Sequence, residues 1–139
     1  MLDSMRVLVV DDFEIARTMV RRALESLGLK RIDEAVNGAV GLEMLKTAAF
    51  AGNPYHLVLC DWMMPVMDGY TMLLECRKMP ELSDTPFVMI TAESNKDMIV
   101  QALRGGATDY LMKPVSEEAL RRKVRRFLEE LESKHKGVA

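Results

Sequence analysis

The stretch Arg6–Asp12 reads RVLVVDD, five mostly apolar residues followed directly by two acids. A short apolar run of this kind is typical of a strand that is buried on both faces of a parallel sheet. Later runs of similar character predict four more strands: Ile32–Val36, His56–Cys60, Pro86–Thr91 and Thr108–Met112. The chain therefore contains five strand-forming segments, spread along most of its length.

Helical patterns fill the intervals between these strands. Apolar residues recur at helical spacing after each strand, and glycines such as Gly28 mark helix ends. The fourth helix is predicted over Lys96–Arg104, and the fifth begins after Ser116, a good N-cap residue, and ends near Ser133. Strands that alternate with helices form a parallel sheet with helices on both faces, so we predict a doubly wound α/β fold with five strands and five helices.

Length and composition fit one domain over residues 1–139, with 49% hydrophobic and 29% charged residues. The net charge of −2 argues against wholesale binding to nucleic acid or to an anionic membrane. No apolar run approaches the roughly 20 residues of a membrane span, and the first residues lack the order of a signal peptide. Two cysteines, Cys60 and Cys76, without a CxxC spacing exclude a disulfide scaffold and predict a reducing, cytoplasmic location.

Five polar residues follow the predicted strands at the points where the strands end. Asp11 and Asp12 end the first strand, and Asp61, Thr91 and Lys113 end the third, fourth and fifth. In a parallel sheet these ends lie along one edge, and ligands of open α/β folds bind there, near the point where strand order reverses. Each residue alone has an ordinary alternative, as a helix cap, a turn residue, a strand residue or a solvated lysine. Their joint placement predicts one site.

The chemistry of such a site is restricted by its charges. Three neighbouring carboxylates raise one another's pKa unless a cation intervenes. Oxygen ligands at a small site suit Mg²⁺, which usually binds one or two carboxylates together with a phosphate. One carboxylate facing the metal could act as a nucleophile and form an aspartyl phosphate, with Lys113 and Thr91 beside the phosphoryl oxygens.

The combined motif resembles the signature of response-regulator receiver domains, and most closely that of single-domain CheY-type regulators. The matching segments are Asp11-Asp12, Asp61–Gly69, Thr91-Ala92 and Lys113-Pro114. The resemblance covers nearly the whole chain, with a core of about residues 5–133 and a short C-terminal tail. It implies the flavodoxin-like strand order 2-1-3-4-5.

The resemblance also implies a metal site and a phosphoacceptor. Asp61 is the expected phosphoacceptor. Asp11, Asp12, Asp61 and the backbone carbonyl of Met63 are the expected ligands of Mg²⁺. The chain is then a phosphoacceptor rather than an enzyme, with only self-phosphorylation and dephosphorylation of its own.

Further roles implied by the resemblance concern switching. Thr91 and Lys113 are expected to contact the phosphoryl group, and Tyr110 matches an aromatic switch position that reorients with Thr91. The Lys113–Pro114 bond is expected to be cis. The surface of helix 4, strand 5 and helix 5 would then change its preferred shape. Its basic run, Arg121–Arg126, is either a solvated helix face or a docking site for an acidic segment.

The implied partners are a histidine kinase as phosphodonor and a flagellar motor switch protein as target of a monomeric regulator. A shuttle that passes phosphate to a histidine phosphotransfer protein is the alternative. Two other classes fit less well. Haloacid-dehalogenase-type phosphatases carry a DxD pattern after strand 1, where this chain has Asp11-Asp12-Phe13. An FMN carrier needs a phosphate-binding first loop, which these acids would repel.

Two departures from the family pattern stand out. Met63 replaces the asparagine of the best-known chemotaxis regulators, whereas Glu93 agrees with them. Because methionine cannot orient water with a strong hydrogen bond, we expect the lifetime of the phosphorylated form to differ. The second departure is the stretch 47–55, which is longer than usual and is expected to form a tolerated surface loop.

Overall fold

The computed structural model describes residues 2–92 and 95–137, with the side chains of residues 135–137 excepted. Its centre is a five-stranded parallel sheet in the order β2-β1-β3-β4-β5. The strands are β1 (Arg6–Val10), β2 (Arg31–Ala35), β3 (Leu57–Cys60), β4 (Phe87–Thr91) and β5 (Asp109–Met112). The predicted α/β class and strand order are confirmed, and each strand lies within one residue of its predicted bounds.

Five helices connect and follow the strands: α1 (Glu14–Ser26), α2 (Gly38–Phe50), α3 (Gly69–Lys78), α4 (Lys96–Arg104) and α5 (Glu117–Gly137). A short 3₁₀ turn precedes β1 at Leu2–Ser4. Helix α4 has its predicted bounds, while α5 continues four residues beyond Ser133. Within the part of the chain that is described, no helix combines the length and the apolar character needed to cross a membrane.

The helices cover the sheet on both faces, so the core has two layers. On one face, Leu8 and Val10 of β1 pack in a cluster with α2, α3 and Ala102 of α4. On the other face, Val7 and Val9 pack with α1 and α5. Because neighbouring residues of a strand point to opposite faces, strands that carry apolar side chains at every position must be covered twice, as the sequence pattern predicted.

Helix starts follow local side-chain chemistry. Asn37, Asp68, Asn95 and Ser116 each precede a helix and accept a hydrogen bond from a backbone N–H of its first turn. Helix α1 differs, because its N-cap is Phe13 and no side chain caps it there. The acids before it are therefore not the N-cap pair that an isolated Asp-Asp sequence would suggest, and they are available for another role.

The stretch 47–55 does not form the expected surface loop. Its first four residues continue helix α2 to Phe50, and only residues 51–54 form an exposed turn. Tyr55 is buried: its hydroxyl donates to Asp33 Oδ2 at 2.6 Å, and the Arg6 guanidinium lies 4.2 Å from the centre of its ring. The longer connection is thus packed onto the amino-terminal edge of the sheet, which the sequence pattern did not reveal.

Candidate functional site

The backbone hydrogen-bond ladder continues past the strand ends and fixes the acidic residues there. Asp11 N–H donates to the carbonyl of Ala35 at 3.1 Å, and Asp61 N–H donates to the carbonyl of Val10 at 2.9 Å. Each residue that follows β1 or β3 is therefore held as firmly as a strand residue. Both side chains start from fixed backbone at the same edge of the sheet.

Three carboxylates and one ammonium group meet at this edge. One ligand oxygen each of Asp11, Asp12 and Asp61 lies within 4.8 Å of the others. Asp11 and Asp61 are only 5% and 9% exposed, whereas Asp12 is exposed. Lys113 Nζ lies 2.9 Å from Asp11 Oδ2 and 3.3 Å from Asp61 Oδ2. These four residues, of the five for which one site was predicted, lie together, although Asp11 and Lys113 are 102 positions apart in sequence.

Backbone donors hold the remaining carboxylate oxygens. Phe13 N–H donates to Asp11 Oδ1 at 2.9 Å, and Trp62 N–H donates to Asp61 Oδ1 at 2.8 Å. The Oδ2 atoms of Asp11 and Asp61 are consequently the ones that face Lys113. This arrangement presents two oriented oxygens to a cation, with the third carboxylate of Asp12 beside them.

The charges of the site shift two pKa values. Burial raises the pKa of Asp61, and Lys113 acts against this rise while Asp11 adds to it. Partial burial alone would lower the pKa of Lys113, but its hydrogen bond to Asp11 and the negative charge of Asp61 outweigh that effect and raise it. The ammonium group therefore stays charged and offsets part of the repulsion between the two carboxylates.

These oxygens fit a magnesium ion. Mg²⁺ binds oxygen at about 2.1 Å in an octahedron, so its ligand oxygens lie about 3–4 Å apart. The spacing of the three carboxylates, within 4.8 Å, needs only small side-chain adjustments to reach this arrangement. Met63, two residues after Asp61, is 60% exposed. Its backbone carbonyl stays a predicted ligand.

Comparison with known families identifies the family to which this fold belongs. The chain matches the family model described as the response regulator receiver domain over residues 7–125. The chain belongs to the response-regulator receiver family. Receiver domains bind Mg²⁺ at an acidic phosphorylation site, and this chain carries an acidic cluster formed by Asp11, Asp12 and Asp61.

Curated relatives of this receiver include chemotaxis proteins. It is 36% identical over 128 residues to the chemotaxis protein CheY-3 of Vibrio cholerae, covering 92% of this chain and 95% of that protein. It is 33% identical over 125 residues to the chemotaxis protein CheY of Pseudomonas aeruginosa, covering 90% of this chain and 97% of that protein. The receiver is therefore a CheY-like response regulator of two-component signalling.

Solved structures agree with this assignment. CheY4 of Vibrio cholerae superposes with a TM-score of 0.78 at 29% identity, over 88% of this chain and 97% of that one. The CheX-CheY-BeF3-Mg+2 complex from Borrelia burgdorferi contains a chain with a TM-score of 0.81 at 25% identity, covering 89% of each chain. Both neighbours share the fold over nearly the whole domain.

Thr91 and Tyr110 of the receiver lie on one face of its sheet. Thr91 is completely buried at the end of β4, and its carbonyl accepts a hydrogen bond from Lys113 N–H at 2.8 Å. Tyr110 is half-buried and pairs with Met89, two residues before Thr91. Since residues two apart share a face, both side chains project toward the layer that α2, α3 and α4 cover. Glu93 lies outside the described residues.

Gly69 brings helix α3 against the end of strand β3. A Cβ atom at this position would lie 2.0 Å from the carbonyl oxygen of Asp61, which no side chain permits. Gly69 N–H also donates to the carbonyl of Trp62 at 2.8 Å. The loop after β3 is thereby folded back onto Asp61. The Lys113–Pro114 bond is cis, as expected for the receiver family.

Two features near the site were missed by sequence reasoning. The side chain of Arg17 contacts Glu34 of β2 and the acidic loop, defined as residues 11–13 between β1 and α1, where it bonds the carbonyl of Asp11. Arg17 and Arg21 lie one helical turn apart, and an acid is present in β2. These residues were the available sequence signal for an ion pair between α1 and β2. A mostly apolar pocket of about 370 Å³ also opens between α1 and the segment after Lys113, with Met19 and Val115 among its lining residues. No pattern in the sequence predicted this pocket.

Proposed function

We propose that Asp61 accepts a phosphoryl group from a histidine kinase, with Mg²⁺ held by Asp11, Asp12, Asp61 and the backbone carbonyl of Met63. The observation that carries this proposal is the position of Lys113, whose ammonium group lies between the oriented oxygens of Asp11 and Asp61. A cation already balances two carboxylates at the point where a phosphoryl group would add further negative charge.

The transfer is a nucleophilic displacement at phosphorus. One carboxylate oxygen of Asp61 attacks the phosphorus of a phosphohistidine, and an O–P bond forms as the N–P bond breaks. The electron pair of the broken bond stays on the imidazole nitrogen, which takes up a proton from water. Mg²⁺ supplies screening of the negative charge on the carboxylate and the phosphoryl group. Self-phosphorylation and dephosphorylation are the only reactions that we assign to the chain itself.

Thr91 and Lys113 are proposed to contact the phosphoryl group once it is bound to Asp61. Lys113 exchanges part of its contact with Asp61 for the new phosphoryl oxygens, and the hydroxyl of Thr91 moves toward them. The space that Thr91 leaves lies on the face to which Tyr110 projects. Tyr110 then turns inward. This shifts the equilibrium between two conformations of the surface formed by α4, β5 and α5.

The switching surface is proposed to bind an acidic segment of a motor switch protein. Support comes from the chemotaxis relatives and from the basic residues of α5. Several of these are already paired: Arg121 with Glu117, Arg122 with Glu118 and Lys123 with Asp109. These surface pairs are weak, so an acidic partner can replace them at small cost. The free buried cysteines Cys60 and Cys76 suit the reducing cytoplasm in which this binding would occur.

A phosphorelay shuttle is the second candidate, and one surface favours it. Phe13, Ile15 and Met19 expose large apolar side chains around the start of α1, next to the acidic site. Apolar patches of this kind mark sites of protein contact. A phosphotransfer protein that brings its histidine to Asp61 would cover this patch.

Phosphorylation is tested with a small acyl phosphate as donor, in the presence of Mg²⁺. Intact-mass measurement should show the addition of one phosphoryl group, which is released by hydroxylamine as expected for an acyl phosphate. Asp61→Asn is the matched control, since it keeps the shape and removes the nucleophile. A phosphoryl group that persists in Asp61→Asn, or that forms equally well in EDTA, would contradict the proposal.

The two outputs are separated by direct binding. The receiver is loaded with Mg²⁺ and with beryllofluoride, which imitates the phosphoryl group. It is then titrated with a purified motor switch protein and with a purified phosphotransfer protein. Tighter binding of the motor switch protein in the loaded state supports the chemotaxis output. For the shuttle, the receiver is instead phosphorylated with the small acyl phosphate, and transfer of the phosphoryl group from Asp61 to the phosphotransfer histidine supports this second candidate.

A further inference from the structure

Arg17 reaches from helix α1 back over the acidic loop. Its Nη1 donates a hydrogen bond to the carbonyl oxygen of Asp11 at 2.8 Å, and its Nε donates to Glu34 Oε1 at 2.9 Å. The Arg17 side chain is only 13% exposed. A guanidinium group holds such contacts well because its donors form one rigid plane.

Glu34 holds Arg17 in place and is itself held from a second side. Arg21 Nε donates to Glu34 Oε2 at 2.8 Å, and Arg21 Nη2 donates to the carbonyl of Ile32 at 2.7 Å. Burial acts to raise the pKa of Glu34, but the hydrogen bonds and charges of Arg21 and Arg17 outweigh it and lower the pKa. Glu34 is therefore ionised at neutral pH and joins two residues of α1 to strand β2.

The contact of Arg17 completes the fixation of Asp11. The N–H of Asp11 is bonded to Ala35, and its two carboxylate oxygens are bonded to Phe13 N–H and Lys113. Its carbonyl oxygen is the acceptor that Arg17 occupies. That carbonyl belongs to the peptide that joins Asp11 to Asp12, so its orientation controls where the Asp12 carboxylate starts.

We propose that Arg17 is a positioning residue of the magnesium site. Held by Glu34, it fixes the peptide between Asp11 and Asp12, so that both carboxylates meet the narrow geometric demands of Mg²⁺. This inference rests on the proposed function of the acidic edge. It adds a residue outside the ligand set whose removal weakens metal binding without removing any ligand.

The test compares two arginines that share Glu34. Arg17→Met removes the contact with the Asp11 carbonyl, whereas Arg21→Met removes only contacts with Glu34 and Ile32. Mg²⁺ binding is measured by the fluorescence of Trp62, the single tryptophan, whose N–H is bonded to Asp61 Oδ1. Loss of a residue that orients a metal ligand weakens binding by about tenfold or more. We expect that loss for Arg17→Met and less than about a twofold change for Arg21→Met.

A measurement without metal separates positioning from general stability. In EDTA, hydrogen exchange at the Phe13 amide should accelerate in Arg17→Met and stay near the wild-type rate in Arg21→Met, because only the first variant frees the acidic loop. Thermal unfolding of both variants in EDTA shows whether they are equally folded. If Arg17→Met is too unstable, Arg17→Lys keeps the charge and cannot hold both acceptors in the same geometry.

The outcomes distinguish the two proposals. If both arginine variants bind Mg²⁺ as tightly as wild type does, the proposed role of Arg17 is wrong and the magnesium site stands. A wild-type protein that shows no Mg²⁺ response and no phosphorylation of Asp61 overturns the proposed function itself. Equal weakening in both variants, in proportion to lost stability, also contradicts positioning by Arg17.

Discussion

The centre and the edge of the sheet differ sharply in burial. In the central region, defined as β1 and β3, residues 7–10 and 57–60 are at most 2% exposed. In the edge region, defined as residues 95–112 with α4 and β5, Ala102 alone is buried. The central strands have a neighbour on each side and helices on each face, whereas β5 has one neighbouring strand.

This difference agrees with the positions of the proposed metal ligands and of the proposed switch residue. The carboxylates follow the central strands, where close packing keeps their backbone in one position. The half-buried Tyr110 lies in the edge region, where few contacts must be broken to change its packing. The proposed function needs both properties, since metal binding requires fixed geometry and a switch requires two packings of similar free energy.

A matched pair of leucines tests this comparison most strongly. Leu59 of β3 is fully buried, while Leu111 of β5 is partly exposed. Leu59→Ala should lower the free energy of unfolding by about 4 kcal/mol, because it opens a cavity in a rigid layer. Leu111→Ala should lower it by about 1.5 kcal/mol. Urea unfolding measures both, and equal losses would refute the difference between centre and edge.

A pair of glycines gives the next largest effect. Gly69→Ala forces a Cβ against the backbone of Asp61 and should cost about 3 kcal/mol, because the backbone has to move. Gly105 in the edge region is the control. Its Cβ would meet a ring carbon of Tyr70 at 2.9 Å and the carbonyl oxygen of Gln101 at 3.3 Å, so its approach to backbone is less close than that of a Cβ at Gly69. Gly105→Ala should therefore cost about 1 kcal/mol or less. A more harmful Gly105→Ala would show that the edge is as rigid as the centre.

Met63 provides a smaller effect on kinetics. Met63→Asn introduces an amide beside Asp61 that can orient water, so the phosphorylated form should decay several-fold faster, a change in barrier of about 1 kcal/mol. Decay is followed after removal of the phosphodonor. Because Met63 is exposed, the thermal stability in the absence of phosphate should not change. Identical decay rates in the two proteins would remove Met63 as a determinant of lifetime.

His56 gives the smallest effect, at the opposite end of the central region. Its Nδ1 accepts a hydrogen bond from Arg6 N–H at 3.0 Å, and burial together with the charge of Arg6 lowers the pKa of His56 from its usual 6.5. The unfolded chain therefore binds a proton first as the pH falls. The contribution of neutral His56 to the free energy of unfolding is therefore complete above pH 6.5 and is lost as the pH falls through the lowered pKa.

The control for this pH effect is His56→Asn, which keeps an acceptor for Arg6 N–H without a titrating group. Urea unfolding is measured between neutral pH and the mildly acidic range in both proteins. The variant should lose less stability on acidification than wild type. An identical loss would assign the acid sensitivity to other groups.

The sequence by itself determined the alternating strands and helices and the residues at which they end. Apolar runs such as Arg6–Val10 and capping residues such as Ser116 act over a few residues, so their effect is readable without knowledge of the fold. The parallel arrangement then requires that polar residues at strand ends share one edge. This is why Asp11, Asp61 and Lys113 could be grouped before their distances were known.

Only the tertiary structure decided which side chains touch. The pairing of Lys113 with Asp11, the contact of Arg17 with Glu34 and the burial of Tyr55 against Asp33 join segments that are separate in sequence. The same is true of Gly69, whose need for a hydrogen atom arises from the close approach of the Asp61 carbonyl. Such contacts depend on how helices pack onto the sheet, and local periodicity carries no information about that packing.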